Sequence, residues 1–153
     1  HGGGPQKPKG IIVHAMGYQI DWEGERMYAA SFLEEVGLSA HVLVAPDGTA
    51  IRTRRDHEVA WHAKGYNTGY LGVEVLCDGA YDLALLNRLT AEPGWVTPEQ
   101  YRSLLTLMQQ WVTAYQINRD MVRRHSDVDP IRKRDPGAGF PWTELMCDII
   151  WGL

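Results

Sequence analysis

The sequence predicts an α/β fold, a single domain in which a central mixed β-sheet is flanked by helices, and three observations lead there. Short β-branched apolar runs alternate with stretches of helical period, as in a layered sheet-and-helix domain. The chain has 153 residues, close to one ordinary domain and short for two. Its composition, 44% apolar and 22% charged, is that of a chain able to pack a core.

The chain opens with His1-Gly2-Gly3-Gly4-Pro5 and no Met, so residues 1–9 read as a processed end or an expression scar, with the domain expected over residues 10–153. Gly10-Ile11-Ile12-Val13-His14-Ala15-Met16 is apolar and β-branched, which predicts a buried strand. Residues 25–36 space Met27, Tyr28, Phe32, Leu33 and Val36 along one helical face, and Gly37 stands where the helix would stop. Residues 40–45 make the next strand, and Pro46-Asp47-Gly48 turns it into a partner over residues 49–53. A loop carries Asp56-His57-Glu58 and Trp61-His62-Ala63-Lys64-Gly65-Tyr66-Asn67, followed by a strand over residues 70–76.

Residues 78–95 show no clean period and are expected to be irregular. Thr97-Pro98-Glu99-Gln100 is a helix start, with Thr97 as N-cap and Gln100 closing a capping box. Leu104, Leu105, Met108, Trp111, Val112 and Tyr115 continue that helix as an amphipathic face. A short strand over residues 121–125, a polar Pro/Gly loop over residues 126–141 and a last helix from Trp142 complete the series.

Charge and cysteine content exclude several function classes. A net charge of −4 gives no basic footprint for nucleic acid, and the one basic cluster, residues 119–134, is broken by Asp120, Asp127 and Asp129. No stretch approaches the roughly 18 apolar residues that span a bilayer, so membrane insertion is not expected. Cys77 and Cys147 are too few for a disulfide framework and read as buried free thiols. Six Trp and seven Tyr exceed what a core of this size needs, and some of those rings could line a groove. No feature argues for an oligomer, so a monomer is expected.

Candidate chemistry rests on a few ionisable residues. His14 ends the first strand and His125 ends the late one, where a rigid scaffold presents ligands to a cleft, and Asp135 follows ten residues later. Two imidazoles and a carboxylate, with a fourth place left to water, would make a hydrolytic zinc site. Spacing alone leaves His41 and His62 open for the same role. Glu74 is a carboxylate inside the apolar run Leu71-Gly72-Val73-Glu74-Val75-Leu76, where it must be paired, bound to metal or raised in pKa. A raised carboxylate suits a general base, whereas an outward-facing one would be only a salt-bridge partner. Lys133, two residues before Asp135, is either a fixed charge for an oxyanion or a solvated loop lysine.

Four blocks in order carry a resemblance over about residues 10–150. They are Ile12-Val13-His14; Ser39-Ala40-His41 before an apolar strand and Asp47-Gly48; Ala60-Trp61-His62-Ala63 through Asn67 to Leu71-Gly72-Val73-Glu74; and His125-Ser126-Asp127 followed by Arg132-Lys133-Arg134-Asp135-Pro136-Gly137. With them the chain resembles the zinc-dependent N-acetylmuramoyl-L-alanine amidases, the group that includes small phage lysozymes and animal peptidoglycan recognition proteins. The resemblance implies a peptidoglycan recognition protein-like fold and hydrolysis of the amide between N-acetylmuramic acid and L-alanine in peptidoglycan or muropeptides. It implies zinc on His14, His125 and Asp135, with Glu74 as base and Lys133 steadying the tetrahedral intermediate. It also implies substrate contacts from Trp61, His62 and Asn67, and a structural or supporting place for His41.

Asp135 and Ala40 stand where some members have Cys and Tyr, so the chain looks like the Glu/Lys branch of bacterial recycling amidases and many phage endolysins. Ala15-Met16 departs from the small polar residue often found after the first ligand. A phage lysin or a secreted or periplasmic enzyme is expected ahead of a cytoplasmic recycling one. The rival reading is a binding module on the same fold; its mark would be a lost ligand, and here all three candidates are present. A closed structural zinc site fits poorly, because such sites use four side chains, mostly Cys.

Overall fold

The computed structural model describes residues 1–152. Its centre is the pair of strands β2 (Gly10–Gly17) and β8 (Tyr70–Cys77), buried along their whole length and paired in parallel. Their near-continuous apolar runs are what a strand covered on both faces requires. Numbered in chain order, β5 (Val42–Val44), β6 (Ala50–Arg52) and β9 (Val122–Arg124) complete a five-stranded sheet in the order β6-β5-β8-β2-β9. Only β6 runs antiparallel, joined to β5 by the expected Pro46-Asp47-Gly48 turn, so the sheet is mixed.

Side-chain alternation divides the sheet into two faces. Ile11, Val13, Leu71, Val73, Val75, Val42 and Val44 join the larger apolar cluster under helix α3 (Pro98–Tyr115) and helix α5 (Trp142–Asp148). Met16, Leu43 and Leu76 point the other way and pack on Ala29 and Leu33 of helix α1 (Ala29–Val36). His14 and Glu74 fall on that second face by the period of two.

Helix α3 begins as the sequence predicts. Thr97 accepts from the Gln100 backbone, Gln100 answers the Thr97 N–H, and Pro98 occupies the first turn. Fully buried Gln100 also donates to the carbonyls of Val44 and Leu76 at 2.9 and 2.7 Å, tying the helix to β5 and β8. Gly37 ends α1 in the left-handed conformation, which glycine adopts without strain.

Four expectations need correction. Residues 25–36 are not all helix: Glu25–Tyr28 is strand β4, paired with β3 (Gln19–Trp22) across a tight turn in which Glu23 and Gly24 both have positive φ. The two-residue turn sets this hairpin, and the helix starts only at Ala29. Residues 78–95 contain helix α2 (Leu83–Thr90), capped by Asp82. Gly2–Pro5, expected to lie outside the fold, is strand β1, paired with β7 (Glu58–Ala60). Cys77 is buried as expected, but Cys147 is exposed; both are free. No described helix is long and apolar enough to cross a membrane.

Gln100→Leu would orphan two buried carbonyls and open the capping box, and is expected to lower the unfolding free energy by about 2–4 kcal/mol in urea denaturation. Arg102→Ala, which removes an exposed partner of Glu99 on the same helix, is expected to change it by less than about 1 kcal/mol.

Candidate functional site

Register brings the site together. Pairing of β2 with β8 sets His14 directly beside Glu74. Pairing of β2 with β9 ends at Val13 and Arg124, so the next residue on each chain, His14 and His125, stand side by side. The sequence expectation that His125 ends a strand is off by one residue. His125 opens the one-turn helix α4 (His125–Val128), held by Asp127, which accepts from the Arg124 backbone and guanidinium at 2.9–3.0 Å. The following loop folds back so that Ser126 N–H donates to the Asp135 carbonyl at 3.0 Å. The Asp135–Pro136 peptide is cis, and Gly137 turns away with positive φ against Thr90, where a Cβ would have no room.

The resulting cluster has three donor atoms. His14 Nδ1 lies 2.9 Å from His125 Nδ1 and 3.5 Å from Asp135 Oδ2, and His125 Nδ1 lies 3.1 Å from the same oxygen. A tetrahedral ion with bonds of about 2.0–2.1 Å has ligand atoms about 3.3 Å apart, so the three atoms stand at the corners such an ion would need. Two nitrogens and one oxygen, all at the buried end of a cleft, fit a divalent metal with one coordination place open. Burial opposes ionisation of Asp135, yet the His125 and His14 rings outweigh it and hold the carboxyl well below its usual range. Burial pushes the His14 pKa down, which favours the neutral ring that binds metal.

Glu74 is 7% exposed, and its Oε1 is buried with no hydrogen-bond partner. Burial first, then the negative charge of Asp135, raise its pKa well above the ordinary carboxylate value, while Lys133 opposes them. A carboxyl kept unpartnered beside three potential metal donors has the raised proton affinity that general bases require. Lys133 is half-buried at the mouth and lines the same cleft as His14, Glu74, His125 and Asp135.

That cleft has a volume of about 490 Å³. One wall is apolar, from Ile20, Phe32 and Leu33 on β3 and α1; another is α2, with Leu83, Leu86 and Asn87. The sequence reading placed Phe32 and Leu33 on a helix but missed strand β3, which carries Ile20, and helix α2. The signal for α2 was present in Asp82, a good N-cap before an apolar run.

The three residues expected to contact substrate take different places. His62 lines the cleft, but its ring is engaged on both sides, 2.8 Å from His14 Nε2 and 3.1 Å from the Tyr70 carbonyl. Asn67 does not line the cleft; its Oδ1 accepts from His62 and Ala63 N–H, both at 2.8 Å, and shapes the loop. Trp61 is 41% exposed outside the cleft lining, and its backbone N–H donates to Ser39 Oγ. His41 is buried away from the donors, accepting from Gly72 N–H and bonding the Glu58 carbonyl, which fits its expected structural place.

Comparison with known proteins identifies relatives of the chain. The profile of the family described as N-acetylmuramoyl-L-alanine amidase matches residues 4–138. The chain is similar to the 1,6-anhydro-N-acetylmuramyl-L-alanine amidase AmpD of Enterobacter cloacae, 32% identical over 113 residues, covering 74% of this chain and 58% of that protein. It is also 32% identical over 96 residues to the N-acetylmuramoyl-L-alanine amidase AmiD of Escherichia coli, covering 59% of this chain and 34% of the other. Among solved structures, the endolysin amidase LysCS from Clostridium intestinale superposes with a TM-score of 0.71 at 26% identity, over 96% of this chain and 86% of that one. The chain therefore spans little more than half the length of one curated relative and a third of the other. With a profile match over most of its residues and an alignable fold, the chain belongs to the N-acetylmuramoyl-L-alanine amidase family.

Proposed function

We propose that this chain hydrolyses the amide bond between N-acetylmuramic acid and L-alanine in peptidoglycan or muropeptides, with zinc on His14, His125 and Asp135. The observation that carries the reading is the unpartnered, buried Glu74 carboxylate beside a three-donor cage in one cleft. The names of the curated relatives support the bond and the substrate class. A bound zinc ion supplies Lewis-acid polarisation of a carbonyl and lowers the pKa of water. Glu74 takes the proton of the attacking water and passes it to the departing L-alanine nitrogen, so that a neutral amine leaves. Lys133 places its ammonium near the oxygen on which negative charge develops. The apolar wall of Ile20, Phe32 and Leu33 excludes water and holds the sugar–peptide junction.

Dye release from purified cell walls, with mass spectrometry of the products, tests the reading. Free L-alanine amino termini and peptide-free glycan with a free lactyl carboxylate and uncut glycosidic bonds are expected, and stoichiometric zinc with no such product would overturn it. A chelator is expected to stop release and added zinc to restore it.

Glu74→Gln is expected to retain zinc while turnover falls about 10²–10⁴-fold. The same variant has a second readout in the metal-free protein. The folded-state pKa of Glu74 is raised, so its contribution to stability is full below the unfolded-state pKa and is lost as pH rises through the folded one. Stability of the Gln variant relative to the parent is therefore expected to increase as pH rises above the ordinary carboxylate range in denaturant titrations.

Lys133→Ala is expected to lower kcat about 10²–10³-fold with a smaller change in KM. A rise in KM alone would assign Lys133 to binding instead.

A further inference from the structure

For a neutral His62 ring, one placement of protons satisfies both of its contacts. His62 Nε2 faces the Tyr70 carbonyl at 3.1 Å, and a carbonyl only accepts, so this nitrogen carries the ring's hydrogen. In the neutral ring His62 Nδ1 is then an acceptor, and His14 Nε2, 2.8 Å away, must donate to it. With its hydrogen on Nε2, neutral His14 presents a bare lone pair at Nδ1, the atom that faces His125 and Asp135.

The parts that hold this relay come from β8 and the loop before it. Gly72 lies under the His62 ring, where a Cβ would sit 2.6 Å from ring atoms, so the absence of a side chain there makes the space for the ring. Asn67 Oδ1 fixes the His62 and Ala63 N–H groups and with them the start of the ring's path. The Tyr70 carbonyl that anchors the far nitrogen belongs to the same strand as Glu74.

We propose that His62 is a positioning residue of the metal centre: it passes the polarity of the Tyr70 carbonyl to His14, fixes that ring's tautomer and turns its Nδ1 lone pair toward the ion. The proposal rests on the metal-centre reading above. It gives His62 a role in which its ring nitrogens are not free for substrate. Partners of this kind orient ligating histidines and typically change metal affinity about 10–100-fold when lost.

Three measurements on the full chain test it. In the metal-free protein with nitrogen-15-labelled histidine, long-range proton–nitrogen spectra are expected to show His14 protonated at Nε2 and bare at Nδ1. A hydrogen on Nδ1 would overturn the proposal without reference to any variant. Zinc affinity by chelator competition is expected to fall about 10–100-fold in His62→Phe, which keeps ring shape but has no acceptor. His62→Asn, whose side-chain oxygen can accept near the Nδ1 position, is expected to recover most of that loss. Equal losses in both variants, or unchanged affinity in His62→Phe, would mean that the ring only fills space. Failure of the unsubstituted protein to bind zinc would instead sink the metal-centre reading itself.

Discussion

The site depends on the register of three parallel strands. His14 stands beside Glu74 because β2 and β8 pair over eight consecutive residues without a break. His125 arrives beside His14 because β9 pairs with β2 up to the residue before each. A one-residue slip in either ladder would send the displaced side chain to the opposite face, under α3. The apolar residues on that face prevent such a slip. Val13, Val73 and Val75 are each fully buried there, and trading them for a histidine or a carboxylate would bury charge among Leu104, Met108 and Leu145.

Packing and chemistry are thereby separated across one sheet. The α3 and α5 side holds the larger apolar cluster and has no member of the donor cage. The other side gathers groups that are costly to bury unless paired: an unpartnered carboxyl, two imidazoles 2.9 Å apart and a second carboxyl in contact with both. Glu74 meets this burial by holding its proton more tightly, and Asp135 by its contacts with the His125 and His14 rings, which keep it ionised. Buried ionisable groups of this kind are expected where function and stability compete.

What the sequence revealed and what it hid follow from how each element is specified. The central strands, α3 and its capping box were legible because side-chain pattern specifies them: continuous apolar runs in Gly10–Gly17 and Tyr70–Cys77, helical spacing from Leu104 to Val112. β1 was not, because Gly2, Gly3 and Gly4 carry no pattern and pair by backbone alone. The β3–β4 hairpin hid behind Met27, which satisfies either period; only the Glu23-Gly24 turn distinguishes strand from helix. α2 is half-exposed, so Leu83 breaks the pattern by facing the cleft side rather than the core. Glu74 stood out as a charge within an apolar strand. The choice among His14, His41 and His62 needed either the resemblance or the geometry, since no local spacing ranks them.

His41 and His62 show why composition could not rank those candidates. Both are neutral imidazoles flanking Gly72, and both satisfy backbone groups, His41 between Gly72 and Glu58 and His62 against Tyr70. They differ in what the remaining nitrogen meets. His41 meets an amide hydrogen and ends there; His62 meets another imidazole, and the constraint continues to the donor cage. A histidine's role in this fold is thus set by the partner of its second nitrogen. That partner is fixed by strand register and by a glycine with room for one ring, which are properties of the assembled sheet rather than of any short stretch of sequence.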